Sequence, residues 1–249
     1  MELVAQLTPL EWTLIGVSAL LIGMTKAGLM GAAMAAIPIM ANIFGAQLSV
    51  GVILPMLIAA DVIAVTYYRR HADWGVVVRL LPWALAGIII GVAVGEAIPE
   101  ETFRTLLAIV VLVGLILLAY KEIAHRDVTV PEKWWLAAIL GMAAGFATMV
   151  GNAAGPITTL YLMSMGMSKN RFIGTGAWFY FVVNVVKVPF HIIFWDTITT
   201  ETLAVNLFTI PVIALGGVLG LWLVRHIKER PYRVFILAIT AVISVRLFF

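Results

Sequence analysis

From Leu14 to Thr66 the chain runs through 53 positions with only two charges, Lys26 and Asp61. Helices in so apolar a run have no polar face to turn to water, which places them in lipid or in the interior of a bundle. The same texture returns at Leu106 to Ala119 and at Val205 to Val224, apolar on every face. Membrane-spanning strands would instead alternate apolar and polar residues, so the pattern predicts an all-α polytopic membrane protein.

Local punctuation divides the pattern into segments. Thr8-Pro9-Leu10-Glu11 offers an N-cap threonine, a proline at the first helical position and a capping-box glutamate, so the first helix starts there and runs to Ala27. After a Gly-rich turn, Gly28 to Gly31, comes a short segment, Ala32 to Phe44, then long helices at Leu48 to Tyr68, Val76 to Val94 and Thr102 to Tyr120. Pro131 restarts the series with Trp134 to Met149, a second Gly-rich turn from Gly151 to Gly155, and a short Pro156 to Met165. Phe172 to Phe194, Leu203 to Val224 and Tyr232 to Phe249 complete ten expected crossings.

Charge fixes an expected orientation. The joints after the third, fifth, seventh and ninth segments hold Arg69, Arg70 and Arg79; Lys121, Arg126 and Lys133; Lys169 and Arg171; and Arg225, Lys228, Arg230 and Arg233. All four fall on one side of a ten-segment chain. Acidic pieces lie opposite, at Glu2 and Glu11, Glu96 to Glu101, and Asp196 to Glu201, with Arg104 and Arg246 the basic residues near them. By the positive-inside rule both termini face outward. Basic residues in such a chain report topology, so the pI near 9.3 does not point to nucleic acid. Apolar residues make up 63% and charged ones 12%, which leaves no room for a sizeable soluble domain.

The halves resemble each other. At a separation of 122, Pro9, Trp12, Leu14 and Gly23 meet Pro131, Trp134, Leu136 and Gly145. At 129, Pro82, Gly87, Gly91, Ile98, Glu100 and Arg104 meet Pro211, Gly216, Gly220, Ile227, Glu229 and Arg233. This reads as a duplication into units 1–128 and 129–249. Five crossings per unit is an odd number, so the second unit is expected upside down relative to the first, a transporter architecture.

Segments two and seven, with 13 and 10 residues, reach roughly 20 Å and 15 Å at ~1.5 Å per residue, short of a full crossing. Matched short segments after Gly-rich turns point to a binding site, because interrupted helices aim free N-terminal amides at a ligand, and those ends attract anions. Candidate substrate residues are therefore Thr25, Lys26, Gly28 and Gly31 at the first turn, Gly151, Asn152, Gly155 and Pro156 at the second, with Asn184 and Lys187 later in the chain. Lys26 either snorkels from a helix end or meets an anion. Asp61, eight residues before Arg69, either pairs with Lys26 or Lys187 or titrates for coupling. His191 is a second coupling candidate, although its place beside Phe194-Trp195-Asp196 also suits an interfacial residue. Thr148, Thr158 and Thr159 are weaker candidates, since membrane threonines often bond their own backbone. The chain has no cysteine, and it holds no Walker motif, paired His/Glu metal motif or nucleophile elbow. No cofactor, metal site or catalytic group is expected.

Three stretches carry a family resemblance: Gly23-Met-Thr-Lys-Ala-Gly-Leu-Met-Gly31 with Pro38; Gly151-Asn-Ala-Ala-Gly-Pro156 with Tyr161-Leu162; and Gly174-Thr-Gly176 with Asn184 and Lys187-Val-Pro189. Together they resemble the sulfite exporter TauE/SafE family, and the resemblance covers nearly the whole chain. Lys26 stands where many members carry a small residue. The resemblance implies a two-repeat transporter of sulfite, organosulfonates or related anions in a bacterial plasma membrane. The expected function is secondary export of such an anion by alternating access; a passive anion channel stays open beside it. Expected partners are the small anion and the bilayer, with a proton or sodium ion as coupling candidates and a homodimer as an assembly candidate.

Overall fold

The structure is a computed structural model that describes residues 2–26, 31–68, 70–124 and 134–226. All regular structure among these is helical: α1 (Glu2–Gln6), α2 (Pro9–Lys26), α3 (Ala32–Phe44), α4 (Ala46–Tyr68), α5 (Trp74–Ala97), α6 (Glu100–Ala124), α7 (Trp134–Gly151), α8 (Gly155–Ser164), α9 (Lys169–Ile193) and α10 (Thr200–His226). Five of them, α4, α5, α7, α9 and α10, are long and apolar enough to cross a membrane. The expected tenth crossing, Tyr232 to Phe249, lies outside the described residues, as does Gly28.

Local chemistry sets the ends. Thr8 and Glu11 form the expected capping box, the Thr8 amide donating to Glu11 Oε2 at 2.8 Å and the Glu11 amide to Thr8 Oγ1 at 3.3 Å. The short α3 runs from Ala32 to Phe44 as its composition predicts, between Gly31 at φ 92° and Gly45 at φ 84°, backbone angles that only glycine adopts without strain. Asp73 caps α5, accepting from the Gly75 and Val76 amides. The five-residue α1 has no counterpart in the sequence reading, and most long helices extend a few residues past their expected limits.

Glycines set the closest helix contacts. A Cβ at Gly145 of α7 would lie 2.0 Å from the Ala84 carbonyl oxygen of α5, and one at Gly87 of α5 would lie 2.0 Å from the Met142 oxygen of α7. Between α2 and α10, a Cβ at Gly23 would meet the Ile213 oxygen at 2.1 Å and one at Gly216 the Leu20 oxygen at 2.3 Å. Such bare-backbone contacts hold helices together where lipid offers no hydrophobic drive. Both pairs run parallel: Gly87 then Gly91 meet Met142 then Met149, and Trp12 meets Phe208 edge to face near the start of the other pair. In contrast, α4 and α9 run antiparallel. Gly51 of α4 abuts Thr197 just beyond the end of α9, and Gly174 of α9 abuts His71 just beyond the end of α4. These two helices carry the site.

Candidate functional site

A cavity of about 140 Å³ opens beside Gly31 and the turn after α7, bordered by the end of α2, the starts of α3 and α8, and the α4–α9 pair. Thr25, Lys26, Gly31, Asn152, Gly155, Pro156 and Asn184 all line it. Thr25 builds its first wall: the hydroxyl donates to the Leu21 carbonyl at 3.0 Å and accepts from the Ala33 amide at 2.7 Å. One side chain thereby ties the last turn of α2 to the first turn of α3, satisfying an amide that has no partner within its own helix.

Lys26 extends from the end of α2 into this space, 12% exposed, and pairs at 2.5 Å with Asp61, which is fully buried. Its ammonium also lies 4.6 Å from the centroid of the Tyr180 ring, a cation–π distance. The second Asp61 oxygen accepts from the Asn184 amide at 2.7 Å. Of the alternatives for Asp61, the structure therefore joins it to Lys26.

Lys187 occupies a separate, fully buried place. Its Nζ donates to the Thr148 carbonyl at 2.7 Å, the Thr148 hydroxyl at 3.2 Å and Asn152 Oδ1 at 2.5 Å. Three acceptors match the three N–H groups of an ammonium, so the geometry suits a charged lysine held entirely by neutral oxygens. Asn152, at φ 53°, has both ends of its amide engaged, since its Nδ2 donates to the Val50 carbonyl at 3.0 Å. It borders the cavity as a clamp between α4 and α9 rather than as a free donor. Lys26 brings an ammonium to the cavity lining, whereas Lys187 is not part of it.

Two candidates sit elsewhere. Gly151 faces Leu107 of α6. His191 is fully buried; its Nδ1 is hydrogen-bonded to Thr197 Oγ1 at 2.8 Å and its ring stacks edge to face on Trp195, away from the cavity lining. Sequence reasoning passed over Tyr180 and gave Thr148 little weight. Tyr180, Asn184 and Lys187 follow one another at four and three residues, one face of a helix, and that stripe is the signal that could have found the tyrosine. Among the described residues no group of three His, Asp or Glu side chains comes together to hold a metal.

The family model of the sulfite exporter TauE/SafE matches residues 15–247. The chain belongs to the sulfite exporter TauE/SafE family. No curated protein and no solved structure matches it. Membership in the TauE/SafE family makes this a multi-pass membrane protein of a transporter family, one implied to export sulfite or a related sulfur anion, in accord with its five membrane-length helices.

Proposed function

We propose that the protein is a secondary exporter of a small sulfur oxyanion or organosulfonate, working by alternating access between two inverted units, 1–128 and 129–249, in a plasma membrane with both termini outside. One observation carries the architecture: contacts obey the duplication. Gly145 and Ala84 stand at separations of 122 and 129 from Gly23 and Ile213, so these two tight glycine contacts fall at corresponding positions. The Gly87–Met142 and Gly216–Leu20 contacts are related in the same way. At a separation of 123, Gly51 corresponds to Gly174 and Asp61 to Asn184, and these equivalent helices meet antiparallel. Inversion requires that direction.

In this scheme the anion enters the cavity from the basic side, since Ala64 and Ile173 line it at the ends of α4 and α9 that lead to basic joints. Lys26 exchanges its Asp61 partner for the anion, the starts of α3 and α8 add their dipoles, and Thr159 at the cavity wall adds a hydroxyl. Toward the opposite side Gly51 packs on Thr197 and Gly95 on Trp195. Counterflow in proteoliposomes tests the reading: an internal load of sulfite should accelerate entry of labelled sulfite, and Lys26→Ala should abolish the effect. Flux without any acceleration would instead mark a channel.

A further inference from the structure

Thr148 stands 122 residues after Lys26, and Asn184 stands 123 after Asp61. In the first unit the end of α2 reaches α4 through Lys26 and Asp61. In the second unit the equivalent end of α7 is reached from α9, where Lys187 binds Thr148 one helical turn beyond Asn184. Corresponding places are therefore joined in both units, with the lysine supplied from opposite members of the pair. One lysine borders the cavity, whereas the other is sealed in.

The seal lies where a mirror cavity would open. Ile173, Gly176 and Ala177 of α9 line the existing cavity, and their equivalents at a separation of 123 are Val50, Ile53 and Leu54 of α4, at 0%, 2% and 0% exposure. Asn152 spans this closed region, donating to the Val50 carbonyl and accepting from Lys187.

We infer that Lys187 is the anion-binding cation of the outward-open state, held in reserve here by Thr148 and Asn152. The inference rests on the alternating-access reading above. When the units exchange conformations, the Asn152 clamp parts, Val50, Ile53 and Leu54 line a cavity open to the outside, and Lys187 turns from its neutral oxygens to the oxyanion. Lys26 closes on its own unit at the same time. The anion passes from one lysine to the other across the Asp61–Asn184 contact.

The absence of native cysteine lets single cysteines report access without background, and sulfite serves as the probe anion. In right-side-out and inside-out vesicles, Lys187→Gln should raise the outer KM by about tenfold or more, the usual loss of a hydrogen bond to a charged group, and leave the inner KM within roughly twofold. Lys26→Gln should do the reverse. A purely structural lysine would shift both sides alike, and equal shifts overturn the inference. Should Lys187→Gln fail to fold, Thr148→Val loosens the seal while keeping the lysine; it should speed labelling of Ile53→Cys by an impermeant maleimide from outside, and an unchanged rate overturns the inference. If Ile53→Cys stays unlabelled during active transport while Ile173→Cys labels from inside, alternating access itself fails. Labelling of both, with equal KM shifts, leaves alternation standing and removes only the role of Lys187.

Discussion

Removing either partner of the Lys26–Asp61 pair should cost unequal amounts. In Lys26→Met the fully buried Asp61 carboxylate keeps only the Asn184 amide, and a buried charge stripped of its partner costs about 3–5 kcal/mol. Asp61→Asn leaves an ammonium that is 12% exposed, beside a cavity and over the Tyr180 ring, so its loss should be roughly 1–2 kcal/mol. The double variant contains no charge to strand. Adding Asp61→Asn to Lys26→Met should therefore restore about 2 kcal/mol, not remove more. Thermal unfolding of the four purified proteins in one detergent measures this. At roughly 2–4 °C per kcal/mol for a chain of this size, Lys26→Met should melt about 10 °C low and the double variant several degrees higher. Additive losses, or a larger loss in Asp61→Asn than in Lys26→Met, would refute the idea that burial asymmetry governs the pair.

The glycine contacts give paired expectations: Gly23→Ala and Gly145→Ala meet carbonyl oxygens at 2.1 and 2.0 Å, so each should lose about 1–3 kcal/mol by overpacking. Gly16→Ala, with nothing within 4 Å, should be neutral or slightly stabilising in the same unfolding assay. Thr25→Val removes the acceptor of the Ala33 amide and should cost about 1–3 kcal/mol, with most of it regained in Thr25→Ser. Asp73→Ala loses the cap of α5 together with the Arg171 ion pair at 2.5 Å; a loss of about 1–2 kcal/mol is expected, reduced little by salt because the cap is made to backbone.

Much of this organisation is legible in the sequence where one residue dictates one geometry. The Thr8–Glu11 box fixed the start of α2, and the Gly-rich turn ending at Gly31 marked the start of α3, because caps and positive φ angles are local demands. Gly31, Asn152, Gly155 and Pro156, which line the cavity, stood out in the sequence for the same reason. The partnership of Asp61 was visible only as a need, since many cations lie within reach of a buried carboxylate in sequence, whereas packing picks one. Tyr180 was missed because an aromatic on an apolar helix reads as core until a cation is placed over it. The proposed correspondence of Asp61 with Asn184 escapes a search for identical residues, although Gly51 and Gly174 carry the same separation as plain identities. The burial of His191 was not legible, because it depends on the turn after Phe194 that brings Thr197 back to the ring.

The hydrogen bond between Asp61 and Asn184 joins two positions that, on the inverted-repeat reading, are the same position twice. A two-fold axis through identical chains would confront each residue with its own copy: two carboxylates would repel, and two amides would bring no charge. Joining the units in one polypeptide lets the copies differ by a single isosteric exchange of oxygen for nitrogen. The self-contact then becomes a donor facing an acceptor, and the midpoint of the molecule gains one negative charge where symmetry would permit none or two. On that reading, fusion of the halves lets a nearly symmetric scaffold hold one lysine against an acid and the other against neutral oxygens.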